Sequence, residues 1–254
     1  MPILRPLRTA AIAVVCAIAA SPAAAFDLEN LAPGEREALR AEMRAWLLEN
    51  PEVLVEAIGV LEERQATAQG ADDATLIAVN AEALFDNPHA WVGGNPEGDV
   101  TLVEFLDYNC GFCRRAHPEV MELLEFDENV RLVMIEMPIL GPESELAARF
   151  ALAVLQTAGD DAYAELHDRL MTLNGRTSAP VLSRIAGEMG LDMEALSVRM
   201  QGPEVSAILD GNRALAQRLG ISGTPSFVVG DRMLRGYLPL ADMLDVVEAV
   251  REGG

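Results

Sequence analysis

Two cysteines three residues apart, Cys110 and Cys113, are the side chains whose type and spacing carry the most chemistry in this sequence. At the start of a helix, positions one turn apart share a face, so the two sulfurs can join as a disulfide without large backbone movement. Position separates their roles. Cys110 would sit where free backbone N–H groups and the positive end of the helix dipole favour a thiolate, which makes it the attacking sulfur. Cys113, one turn inside, would resolve a mixed disulfide by attacking Cys110 in turn. Closing so small a loop adds little stability through chain entropy, so a chemical role explains the pair better than a structural one. Two other readings remain open on the residues alone. An inert pair is one. Half of a zinc site is the other, although it needs two further ligands, and the only histidines, His89, His117 and His167, form no close pair.

The segments on either side define what must hold the pair. Residues 100–106, VTLVEFL, are a nearly continuous β-prone run that ends in Asp107-Tyr108-Asn109 and then Cys110. Residues 114–126 read as a helix and 130–137 as a second buried strand, so the two strands are expected to be parallel with a right-handed crossover. From 142 to 219 the pattern is helical, broken at Gly159, near Gly175, at Gly190 and at Gly202-Pro203. Strand signal returns only at 226–229 and 233–235, before a closing helix at 240–251. The expected fold is therefore α/β, a sheet begun before residue 140 and completed after 220 around a helical insertion. Ahead of it, 34–66 reads as two amphipathic helices divided at Asn50-Pro51. Residues 66–73, small and polar around Gly70, suit a linker, and 74–85 a further helix.

Composition limits the function classes. Forty acidic residues face 19 basic ones, all of them arginine, and the pI is about 4.4. A nucleic-acid binder needs a basic footprint, and lysine chemistry is absent with lysine itself. The first 25 residues read as a secretory signal: Arg5 and Arg8, a short apolar run, then Ala23-Ala24-Ala25 as the cleavage site. Cys16 leaves with it. The mature chain then keeps only Cys110 and Cys113 in an oxidising compartment, with no distant segments to staple. The 11 methionines are scattered and read as core filler.

The run VTLVEFLDYNCGFC, with Gly223-Thr224-Pro225 far downstream, resembles the DsbA-like branch of the thioredoxin superfamily. The segment LLENPEVL, residues 47–54, is similar to the N-terminal extension of the suppressor-of-copper-sensitivity protein C (ScsC) group within it. The resemblance implies a thioredoxin fold with an inserted helical domain and a helical extension over residues 26–70, the main domain covering 71–254. It implies a periplasmic thiol-disulfide oxidoreductase with no cofactor. It also assigns roles. Glu104 matches the buried carboxylate that accepts a proton beneath the second cysteine, a job that suits a carboxyl titrating near neutral pH. Pro225 matches the cis-proline that faces the sulfurs, and Thr224 the residue before it that tunes their potential. Pro118 falls where such folds kink the active-site helix, the alternative being that the helix ends there. His117 is either a source of positive charge near Cys113 or a surface histidine.

Direction of exchange depends on potential, which spans roughly −270 to −120 mV between thioredoxin and DsbA. Gly111 and Phe112 between the cysteines are similar to the Gly-Tyr of periplasmic isomerases, and Thr224 also favours that side, so the resemblance leans to an isomerase or reductase. A dithiol oxidase and a copper(I)-binding protein using the Cys110 and Cys113 thiolates are the alternatives. The expected partners are exported proteins with thiols or disulfides, a membrane redox protein, and further copies of the chain. The apolar faces within 26–70 would assemble those copies unless they pack back on the same chain.

Overall fold

The computed structural model describes residues 31–253. The expected signal peptide and residues 26–30 of the extension lie outside them. The described residues divide into two compact units, one ending at Val60 and the other beginning at Leu61.

The first unit holds α1 (Pro33–Glu49) and the beginning of α2 (Glu52–Val79). Pro33 sits in the first turn of α1, where a missing N–H costs nothing, and the Glu35 side chain accepts from the Ala32 N–H at 2.9 Å. Asn50-Pro51 separates the helices as the sequence suggests. No residue of α1 is buried, and Met43, Trp46, Leu48, Leu54, Val55 and Ile58 are exposed. Residues 66–73, expected as a linker, are instead helical throughout as part of α2. One glycine costs a helix only about 1 kcal/mol. Within the second unit the end of that helix is anchored: buried Asp73 receives two hydrogen bonds from Arg235, at 2.7 and 2.8 Å, and Ile77 enters the core.

The second unit is built on a five-stranded sheet in the order β1-β3-β2-β4-β5, formed by β1 (Trp91–Gly94), β2 (Val100–Leu106), β3 (Val130–Glu136), β4 (Ser226–Val229) and β5 (Arg232–Arg235). Strands β2 and β3 are parallel and joined through α4 (Gly111–Phe126), whereas the other pairings are antiparallel. The short edge strand β1 has no apolar alternation in the sequence to announce it. Gly230, with φ +58°, makes the two-residue turn between β4 and β5, a conformation that favours glycine.

Both faces of the sheet are covered, which is why β2 and β3 read as continuous apolar runs. On one face Leu102, Leu106, Leu132 and Met134 pack with α4, with α10 (Leu240–Gly253) and with the insertion; on the other Val103, Phe105, Val133 and Ile135 meet Ile77, Leu84, Leu215 and Leu219. The insertion is α5 (Pro142–Ala158), α6 (Asp160–Met171), α7 (Ala179–Glu188), α8 (Met193–Met200) and α9 (Pro203–Arg218), interrupted at the glycines that the sequence marks. Among the described residues no helix is long and apolar enough to cross a membrane.

Candidate functional site

Strand β2 delivers the chain to a turn that Asp107 organises. Its Oδ1 accepts the Asn109 N–H at 2.8 Å and its Oδ2 accepts those of Ile139 and Leu140 at 2.9 and 3.1 Å, while its carbonyl takes the Cys110 N–H at 3.0 Å. The insertion fixes the same turn from the other side. Asn109 exchanges hydrogen bonds with Thr177 at 2.7 and 3.0 Å. The Arg114 guanidinium donates to the carbonyls of Tyr108, Leu173 and Gly175. These contacts place Cys110 as the N-cap of α4 and Cys113 one turn inside it. Pro118 lies within that helix, which continues to Phe126 and does not end there.

Both thiols are free. Cys110 keeps 7% of its surface exposed and Cys113 none. The Cys110 thiol donates to the Thr224 carbonyl at 3.1 Å, and the peptide bond that follows, Thr224-Pro225, is cis. A hydrogen bond from Cys113 does most to hold the Cys110 thiol down to about 5, opposed by burial and helped by the Thr224 side chain and the N–H groups of Cys113 and Phe112. The Thr224 hydroxyl has no partner while Cys110 is a thiol, which leaves it free to donate to the thiolate. Burial, then the bond to Cys110 and the charge of Glu104, push the Cys113 thiol far above its ordinary range. One sulfur is thus ionised at neutral pH and its neighbour is protonated. Gly111 and Phe112 face outward, Phe112 at 56% exposure with the Arg115 guanidinium 5.6 Å from its ring centre.

Glu104 lies on the central strand with 2% exposure, not at a solvated edge, and its Oε1 has no hydrogen-bond partner. Burial, with the charges of Glu136 and Cys110, raises its carboxyl to about 8. His117 is no surface residue: it is buried, with Nε2 3.0 Å from Asp168 Oδ1. The structure therefore brings Cys110, Cys113, Glu104, Thr224 and Pro225 to one place, while His117 turns toward α6.

The sequence reading missed a second buried polar group. Glu136, the last residue of β3, accepts hydrogen bonds on Oε1 from the hydroxyls of Tyr108 at 2.8 Å and Tyr163 at 2.7 Å. His167 Nδ1 lies 3.3 Å from the Tyr108 hydroxyl, and burial, with the neighbouring His117, lowers its ring to about 3, so it is neutral. A charged residue closing an apolar strand was the available signal.

Among the described residues no group of three or more His, Cys, Asp or Glu side chains could hold a metal ion. A copper(I) ion would therefore have to rely on the two sulfurs, which are soft ligands of the right kind.

Known proteins share this architecture. The family model for DSBA-like thioredoxin domains matches residues 101–248, and one described as the copper resistance protein ScsC N-terminal domain matches residues 35–68. A crystal structure of a thioredoxin-like oxidoreductase from Silicibacter pomeroyi DSS-3 is 48% identical, with a TM-score of 0.64, over 67% of this chain and 97% of that one. ScsC from Proteus mirabilis, in a transitional conformation, is 26% identical with a TM-score of 0.65, over 89% of this chain and 99% of that one. Among curated proteins, a Na(+)/H(+) antiporter NhaA 1 from Salinispora arenicola is 34% identical over 152 residues, 57% of this chain. The match spans only 22% of that antiporter's own length.

Proposed function

Since the chain belongs to the DSBA-like thioredoxin domain family, whose members are thiol-disulfide oxidoreductases, we propose that it exchanges disulfides with exported proteins in the periplasm. The observation that carries this reading is the division of labour between the two sulfurs, an acidic Cys110 at the helix start and a fully buried Cys113 behind it. In the exchange, the Cys110 thiolate attacks a substrate disulfide, one substrate sulfur leaves as a thiolate, and a mixed disulfide forms. Cys113 gives its proton to the Glu104 carboxylate and attacks the Cys110 sulfur. The second substrate sulfur leaves as a thiolate, and Cys110 and Cys113 end as a disulfide.

Isomerisation or reduction is the favoured direction. It rests on the Gly111-Phe112 pair, on Thr224 and on assembly through residues 26–70, whose described part exposes Met43, Trp46, Leu48, Leu54, Val55 and Ile58. Several active sites around one substrate would suit shuffling. Residues 1–25 act as the export signal, and a membrane redox protein restores the dithiol. The mature protein should reactivate scrambled ribonuclease, exist as an oligomer by light scattering, and become monomeric without residues 26–70. A monomeric mature chain would remove the main support for isomerisation over oxidation. Tight copper(I) binding by the reduced protein with no exchange activity would favour the copper reading, and the potential measured against glutathione would fix the direction.

A further inference from the structure

Glu104 and Glu136 occupy the same face of the sheet. In the parallel register Glu104 lies opposite Met134 and Leu106 opposite Glu136, so the two glutamates and the residues between them alternate in phase. Both are buried, and one oxygen of each, Oε1 of Glu104 and Oε2 of Glu136, has no hydrogen-bond partner. Two carboxyls in one region of low dielectric resist ionising together. The mechanism proposed above uses one of them and leaves the other without a task.

We propose that Glu136, held by the Tyr108 and Tyr163 hydroxyls, is a positioning residue for the exchange reaction: it shares one negative charge with Glu104 and so sets when Glu104 can take the proton of Cys113. The proposal rests on the oxidoreductase reading. The step concerned is the resolving one. The Cys113 S–H proton moves to the Glu104 carboxylate, the Cys113 sulfur bonds to Cys110, the bond from Cys110 to the partner sulfur breaks, and its electron pair leaves on the partner as a thiolate.

The surroundings of Glu136 act on its charge in known directions. Asp107 from the turn after β2 opposes it, and the Tyr163 and Tyr108 hydroxyls stabilise it, while burial does most to hold the carboxyl up to about 8. From α6, His167 is neutral and reaches Tyr108 rather than Glu136. From α4, His117 stands behind His167, their rings 5.1 Å apart, and bonds to Asp168. From α9, the Asn212 amide donates to the Glu136 carbonyl at 3.0 Å and leaves the carboxyl alone. The charge of Glu136 in turn raises Glu104.

The test follows the reduced protein as it reacts with oxidised glutathione, quenched in acid and resolved by mass spectrometry, to give the rate of resolution of the mixed disulfide against pH. In Glu136→Gln the amide oxygen can still accept from both tyrosines, and the midpoint of the profile should fall by about one pH unit, the coupling at which two groups cease to titrate independently. The difference in rate is read around and above pH 8, where Glu136 is ionised; well below it Glu136 already holds its proton, and variant and wild type should resolve at equal rates. Tyr163→Phe, which removes one donor and keeps the ring, should move the midpoint the same way by less, and it carries the test if Glu136→Gln fails to fold. An unmoved or rising midpoint in a folded variant overturns the proposal. So does an equal shift in the alkylation midpoint of Cys110, which would mark a general disturbance of the site. A wild-type protein that forms and resolves no mixed disulfide at any pH sinks the oxidoreductase reading and this proposal together, whereas an active enzyme insensitive to Glu136→Gln sinks the proposal alone.

Discussion

Helices α1 and α4 are nearly equal in length, 17 and 16 residues, and they treat their apolar side chains in opposite ways. Helix α4 buries Cys113, Ala116, His117, Val120 and Leu123, so its first turn is held against the sheet and the insertion, and Cys110 is fixed where backbone N–H groups converge. Helix α1 buries nothing, although it carries Met43, Trp46 and Leu48. The hydrophobic effect acts on both, at about 25 cal/mol per Å² of apolar surface removed from water. Only α4 has collected that gain within its own unit. The difference separates a region packed tightly around the two cysteines from one whose apolar residues stay exposed.

The sharpest way to break this comparison is at the sulfur. Cys110→Ser should abolish exchange with scrambled ribonuclease altogether, because a hydroxyl supplies no thiolate, whereas Trp46→Ala should leave the alkylation rate of Cys110 unchanged. Next comes stability. Phe105→Ala, at a fully buried position between the sheet and its covering helices, should cost about 3–5 kcal/mol in denaturant unfolding. Leu54→Ala, at an exposed position, should alter the unfolding of the second unit by no more than about 0.5 kcal/mol and act on the oligomeric state instead. A large loss on Leu54→Ala in a monomer would show that the two regions are not distinct in the way described.

The pH predictions are finer. Alkylation of Cys110 should be nearly constant above pH 6 and fall as the pH drops through about 5, with or without residues 26–70. Its folded value lies below the ordinary thiol value of 9.0, so the thiolate contributes stability to the reduced form that is complete above pH 9 and lost as the pH falls through about 5. Glu104 works in the opposite sense. Its carboxyl is raised from 4.5 to about 8, so its contribution is complete below pH 4.5 and is lost as the pH rises through 8. Glu104→Gln should therefore raise the melting temperature at pH 8 and leave it unchanged at pH 4, at the expense of the resolving step. A variant equally stabilised at both values would show that ionisation of Glu104 is not what burial opposes.

Much of this was legible along the chain. Strands β2 and β3, the breaks in the insertion at Gly159, Gly190 and Gly202, and the Cys110 to Cys113 spacing are local patterns, fixed by apolar runs, backbone permissiveness and helical periodicity. Residues 66–73 misled, because a single glycine among small side chains resembles a linker until Asp73 meets Arg235, 162 residues later. Strand β1 was silent for a related reason: its four residues are ordered by pairing with β3 and by Trp91 stacking on Tyr163 at 5.5 Å.

The sequence by itself singled out the candidate residues, since two cysteines one helical turn apart, with Cys16 the one other cysteine in the chain, leave few uses for the pair. Only the tertiary structure decided how those groups behave. The burial of Cys113 and Glu104, the approach of Thr224 to Cys110, and the meeting of Glu136 with Tyr108 and Tyr163 join residues 27 to 114 positions apart. Proton affinity depends on the dielectric and the charges around a group, and these exist only once the chain has folded.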